Sequence, residues 1–139
     1  MSKDWCKDIA EMHDKYKVRG WVVNNPEKLK AFLNFRIAFL AEELQETSTA
    51  VAERDAEEIV DGLIDLCVVA IGTLDAFAID PYEAWDRVLK ANMAKEVGQK
   101  ETRPNALGLP DLIKPTMETH GYDWVAPSHE GNHGLFTKI

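Results

Sequence analysis

Apolar side chains recur at helical spacing in four stretches of the chain. Trp5, Ile9, Met12 and Tyr16 mark the first, a short amphipathic helix over residues 3–17. Residues 18–25, VRGWVVNN, break the period and read as a loop. Asn25-Pro26-Glu27 then has the form of a helix start: a capping side chain, proline at the first helical position, and an acid. That helix is expected to reach about Glu53, with an apolar stripe of Leu29, Phe32, Leu33, Ile37, Phe39, Leu40, Leu44 and Val51. Asp55 opens a third helix, which from Leu66 to Leu74 is apolar nearly all round. A helix of that kind is buried on all sides, and in a chain this small it also suggests a subunit interface. Asp80-Pro81-Tyr82-Glu83 opens a fourth helix, expected to run to about Val97. Its apolar face is Tyr82, Trp85, Val88, Leu89 and Met93. Beyond Val97 the chain is rich in Gly, Pro, His and Asn. It reads as an irregular tail, ordered in part by Leu107, Leu109, Leu112, Ile113 and Trp124 packing on the helices. The fold class is therefore all-α, with about four main helices in a domain over residues 1–98. Residues 99–139 form an extension packed on the same domain.

The polar residues that fall on or beside the apolar stripes change the picture. Glu43 and Glu46 lie at i,i+3 spacing, as do Glu58 and Asp61, with Asp65 one turn further on. At about 100° per residue, both members of a pair share one side of a helix, about 60° apart. Like charges so placed repel by a few tenths of a kcal/mol per pair, and by more where water is excluded. On the second helix, Glu43 falls inside the stripe and Glu46 at its edge, whereas Glu42 points to solvent. Glu58, Asp61 and Asp65 share a narrow arc with Val69, Gly72 and Ala76, so the acids stand at the entrance to buried ground. A hard divalent cation, Mg²⁺ or Mn²⁺, relieves such crowding because it prefers carboxylate oxygen. The competing structural readings are a buried Arg36–Glu43 ion pair and, for Glu58, a capping role with Asp55.

Other candidates follow from the same pattern. Arg36, also on the stripe, is suited to pair with a carboxylate or hold phosphate. Asn92, in the middle of the fourth apolar face, needs hydrogen-bond partners if buried, and Lys95 at its flank suits phosphate charge. His13 reads first as a partly buried histidine and otherwise as a nucleotide contact. Trp21 reads first as a core cover and otherwise as a platform for a base. His120, His129 and His133 have no helix to fix their spacing, which gives little support to zinc. Lys100 and Arg103 read as ordinary loop charges.

The 139 residues suffice for one domain with a real core. A net charge of −8 argues against a nucleic-acid polymer as partner, but is compatible with a nucleotide arriving with metal. Cys6 and Cys67 read as buried thiols of a reducing compartment. The N-terminal stretch MSKDWCKDIAEMHDKYK is too charged for a signal peptide, and the run Leu66 to Leu74 is too short to span a bilayer. The expectation is a cytoplasmic protein that uses no membrane.

The stretch from Phe35 to Lys95 resembles the MazG-like and phosphoribosyl-ATP pyrophosphohydrolase-like superfamily of all-α nucleoside triphosphate pyrophosphohydrolases. The resemblance is carried by Glu42-Glu43-x-x-Glu46, Glu58-x-x-Asp61 and Asn92-Met93-Ala94-Lys95, in that order. EEIVDGLIDLCVVAIGT, KANMAK and PDLIKP look like phage-type members, for which the compartment is the host cytoplasm. The resemblance implies an antiparallel helical bundle that forms a homodimer or homotetramer. It implies Mg²⁺ or Mn²⁺, more than one ion per site, held by Glu43, Glu46, Glu58 and Asp61, with Asp65 available for a further ion. It also implies cleavage of an NTP or dNTP between the α and β phosphates, giving a monophosphate and pyrophosphate. Glu46, or alternatively Glu43, is the expected general base, and Arg36, Asn92, Lys95, His13 and Trp21 are the expected substrate contacts. A purine such as dGTP is the first expected substrate. Phosphoribosyl-ATP and dUTP are the enzymatic alternatives, and a helical oligomerisation module is the non-enzymatic one.

Overall fold

Residues 3–139 are described by a computed structural model, and they are mostly helical. Six α-helices occur: α1 (Trp5–Lys15), α2 (Val18–Asn24), α3 (Leu29–Ala52), α4 (Ala56–Ala76), α5 (Pro81–Met93) and the single turn α6 (Met117–His120). Two three-residue strands, β1 (Glu96–Gly98) and β2 (Asp111–Ile113), pair antiparallel with Val97 opposite Leu112. The all-α class holds. The chain groups into two units, one running through Pro81 and resuming at His133–Ile139, the other Tyr82–Asn132.

The first unit is built on the α3–α4 hairpin. Three residues turn the chain between them. Arg54 takes a left-handed conformation (φ 56°), and the Asp55 N–H donates to the Ala50 carbonyl (3.0 Å). The Asp55 side chain then accepts from the Glu58 N–H (3.2 Å), which satisfies one of the open donors at the start of α4. The helices run antiparallel: Phe32 meets Phe77, Arg36 reaches Val69 and Thr73, and Thr47 lies against Gly62. Val69, Gly72 and Ala76 are buried on one line of α4, as the arc arithmetic requires. At the Phe77 end the C-terminal 3-10 turn (Gly134–Lys138) closes the unit. Phe136 stacks on Phe77 (centroids 4.4 Å apart), and the Leu135 N–H donates to the Phe77 carbonyl (2.7 Å). Gly134 is at φ 52°, where a Cβ would overlap the Phe77 carbonyl oxygen.

Three expectations about secondary structure are corrected here. Residues 18–25 are not a loop, because Val18–Asn24 is helical. Lys17 at φ 60° redirects the chain, Val22 is buried, and Asn25 donates through Nδ2 to the Trp21 carbonyl (2.8 Å). The Asn25 side chain is thus directed backward to close α2 and does not cap the next helix, which begins as a 3-10 turn at Pro26–Lys28. The fourth helix stops at Met93, not Val97, because Glu96–Gly98 is drawn into the two-stranded pairing.

In the second unit, Trp124 Nε1 donates to the Ala91 carbonyl (2.6 Å), and the ring is flanked by the Lys95 and Lys114 ammonium groups. Arg103 pairs with Asp111, and His120 with Glu96. Leu107, Leu109 and Leu112 do not pack as expected. They are exposed, and Trp124 holds the extension instead.

Much apolar surface faces outward. On α4, Val60, Leu63 and Ile64 are exposed, and Cys67, Val68 and Ile71 are half-buried, at the spacing of a second apolar stripe. Within one chain, α4 is therefore not covered all round. Tyr82, Trp85, Leu89 and Met93 of α5 are exposed as well. Cys6 and Cys67 are free thiols and only half-buried, and burial pushes the Cys6 thiol up.

Candidate active site

The hairpin distributes its charged residues in two groups. At the turn end stand Glu43 and Glu46 from α3 and Glu58, Asp61 and Asp65 from α4. Glu43 and Asp65 are half-buried, and Glu46, Glu58 and Asp61 are exposed. Partial burial, then the negative charges of Asp65, Glu46, Glu42 and Asp61, push the Glu43 carboxyl above its ordinary value. Asp65 is pushed up in the same way, by partial burial and by Asp61, whose side chain is within hydrogen-bonding reach. Glu43 and the α4 acids Asp61 and Asp65 therefore feel one another across the helix gap. Among the described residues, none of the five acids meets a lysine or arginine at ion-pair distance.

At the other end the charges have protein partners. Arg36 is 8% exposed; its Nε donates to Thr73 Oγ1 (3.0 Å) and its Nη2 to the Val69 carbonyl (3.0 Å). The guanidinium lies near the Phe32 and Phe39 rings, 6.0 and 5.7 Å from their centroids, and burial pulls its proton affinity down. No Arg36–Glu43 ion pair forms. His13 is 3% exposed, with Nδ1 2.9 Å from Asp75 Oδ2. Burial lowers its pKa against the pull of Asp75. Burial alone would raise the Asp75 carboxyl, but hydrogen bonds and charge from Arg19, together with His13, hold it below its usual value. Arg19 reaches Asp75 through Nε (3.0 Å) and Nη2. Asp75, Arg19 and Thr73 were not singled out by the sequence pattern. The signal available was an aspartate directly after the apolar run Leu66 to Leu74.

Trp21 is 43% exposed and tilts against Phe32 (5.4 Å between centroids). With Tyr16, Lys17, Val18, Gly20, Asn24 and Phe32 it lines an open depression of about 640 Å³. Asn92 and Lys95 belong to the second unit. Asn92 is exposed, not buried, because the α5 face it sits on is itself exposed. The Lys95 ammonium lies 5.1 Å from the Trp124 ring centroid.

A family model described as phosphoribosyl-ATP pyrophosphohydrolase matches residues 21–92, more than half of the chain. The chain belongs to that family. It is accordingly a member of the MazG-like all-α pyrophosphohydrolase superfamily, and a nucleotide pyrophosphohydrolase, a hydrolase acting on acid anhydrides. The phosphoribosyl-ATP pyrophosphohydrolase match takes in all five acids, Arg36, Trp21 and Asn92, and leaves His13 and Lys95 outside its limits. No curated protein and no solved structure matches the chain.

The donor set decides whether a metal fits. As placed, no three His, Cys, Asp or Glu side chains among the described residues are grouped closely enough to enclose an ion. The chemistry of the set fits a hard divalent cation: five carboxylates on two packed helices, two of them raised in proton affinity by burial and like charge. No single helix among the described residues is long and apolar enough to cross a membrane.

Proposed function

We propose that the chain hydrolyses a nucleoside triphosphate between its α and β phosphates at the turn end of the α3–α4 hairpin. Mg²⁺ or Mn²⁺ is held there by Glu43, Glu46, Glu58, Asp61 and Asp65. The observation that carries this reading is that Glu43 and Asp65, half-buried and one from each helix, stand among further carboxylates, with no lysine or arginine at ion-pair distance among the described residues; both carboxyls are pushed up accordingly. A bound divalent ion supplies neutralisation of phosphate charge and a more acidic water. The chain's own part is to hold the ion between helices and to accept the water proton. Glu43 and Glu46 are the two candidates for that proton.

The aromatic depression at Tyr16, Trp21 and Phe32 lies about 16 Å along α3 from Glu43, farther than a base stands from its own α-phosphate, so it is not assigned to the base of a nucleotide cleaved at the acids. A purine such as dGTP is the first substrate to test. The description of the matched family favours a second reading, phosphoribosyl-ATP. The chain is also proposed to assemble as a homodimer or homotetramer through the outward apolar stripe of α4, Val60, Leu63, Ile64, Cys67, Val68 and Ile71.

The test is to incubate the protein with Mn²⁺ and each NTP, each dNTP and phosphoribosyl-ATP separately, and to identify the products. Monophosphate plus pyrophosphate from one triphosphate, or pyrophosphate released from phosphoribosyl-ATP, supports the reading and names the substrate. Diphosphate plus orthophosphate overturns the cleavage position.

A further inference from the structure

Gly62 lies inside α4, where glycine is disfavoured relative to alanine, and its backbone is not in the left-handed region that would call for glycine. What requires glycine here is proximity. A Cβ at position 62 would overlap Thr47 Oγ1, and would stand 3.1 Å from Thr47 Cβ and 3.4 Å from Thr47 Cα. Thr47 is 7% exposed, and its hydroxyl donates to the Glu43 carbonyl (2.8 Å). The side chain therefore cannot turn aside without breaking that bond. Gly62 follows Asp61, and Thr47 follows Glu46. A close approach of the two helices thus occurs directly beside the two rows of acids.

We infer that the Thr47–Gly62 contact sets the gap across which the α3 and α4 carboxylates share divalent ions, which makes Gly62 a positioning residue for the site. This rests on the metal reading given above. Mg²⁺ holds its oxygens at about 2.0–2.1 Å in a nearly fixed geometry. A side chain at position 62 pushes the helices apart beside the acids. A displacement of about 1 Å is enough to cost a positioned site on the order of a hundredfold. Helix formation itself does not suffer, because alanine is the better helix former. The inference therefore separates metal affinity from helical content.

The experiment is a calorimetric titration of Mn²⁺ into the wild-type protein, Gly62→Ala, Thr47→Ala and the double variant, with circular dichroism on each. Gly62→Ala is expected to bind Mn²⁺ at least about tenfold more weakly while keeping its helical signal. The double variant, which removes the overlapping hydroxyl, is expected to recover to within about threefold of Thr47→Ala. Should Gly62→Ala fail to fold, recovery of both fold and Mn²⁺ affinity in the double variant still supports the inference, and failure to recover overturns it. Undiminished affinity in a folded Gly62→Ala overturns the spacing inference alone. A wild-type protein that binds no Mn²⁺ overturns the metal reading itself.

Discussion

The two ends of the α3–α4 hairpin treat charge in opposite ways. Near the Phe77 end, Arg36, His13, Asp75 and Arg19 are joined to one another or to helix carbonyl and hydroxyl groups, and among the described residues no buried polar side-chain atom is left without a partner. Near the turn, none of five carboxylates meets a lysine or arginine at ion-pair distance among the described residues. The difference comes from packing: His13 is brought by α1 and Arg19 by α2, and both meet Asp75 of α4. Charge that meets its partner within the chain holds the fold together. Charge of one sign with no partner raises the energy of the folded chain, and it is relieved by something that binds. This contrast, more than the count of acids, is the ground for proposing the turn end as the reactive one.

Four experiments test this contrast. The largest effect is expected from Glu46→Ala or Asp61→Ala. Either should lower turnover by more than about a hundredfold with the helical signal intact, since even groups behind metal ligands cost 10–100-fold. Wild-type turnover in either variant removes the acid from the site. Next, Mn²⁺ at a hundred times its Kd should stabilise the protein by about 2.7 kcal/mol, read as a rise in Tm. A Tm indifferent to Mn²⁺ makes the acid cluster an ordinary surface. Asp75→Ala should cost about 2 kcal/mol in a urea titration, a figure discounted because Arg19 is partly exposed, while leaving Mn²⁺ affinity unchanged. Loss of Mn²⁺ binding in that variant would mean that the two ends are not separate. The smallest effect concerns pH. Burial holds the His13 pKa below 6.5, so the unfolded chain takes up that proton first. Stability from this group is full above pH 6.5 and is lost as the pH falls below it. His13→Asn should flatten the slope of stability below pH 6.5. An unchanged slope assigns the acid sensitivity to other groups.

Some of these features were legible in the chain and others were not. The end of α3 and the start of α4 were legible because Asp55 caps locally and the apolar period is long. The arc carrying Val69, Gly72 and Ala76 was legible for the same reason. Helix α2 was not, since a seven-residue helix around Gly20 owes its stability to burial of Val22 and to the turn at Lys17. The early end of α5 was not legible either, because its cause is a partner strand at Asp111–Ile113, distant in sequence. Asn92 and Arg36 mark the limits of helical-wheel reasoning. The wheel placed both on apolar faces, but one face is exposed and the other supplies its own acceptors. Gly62 offered a sequence signal in plain view, a glycine inside a helix, but its partner Thr47 is visible only across the gap.

By itself the sequence determined that the chain is helical, that its acids fall in spaced pairs, and that they lie next to apolar faces. These are properties of neighbours along one helix, where geometry is fixed by a rise and a turn per residue. Only the tertiary structure decided which charges are answered from within. A side chain from another helix is brought close by packing, not by spacing. That is why Arg36 faces Thr73 and the Val69 carbonyl instead of Glu43, and why Glu43 faces Asp65.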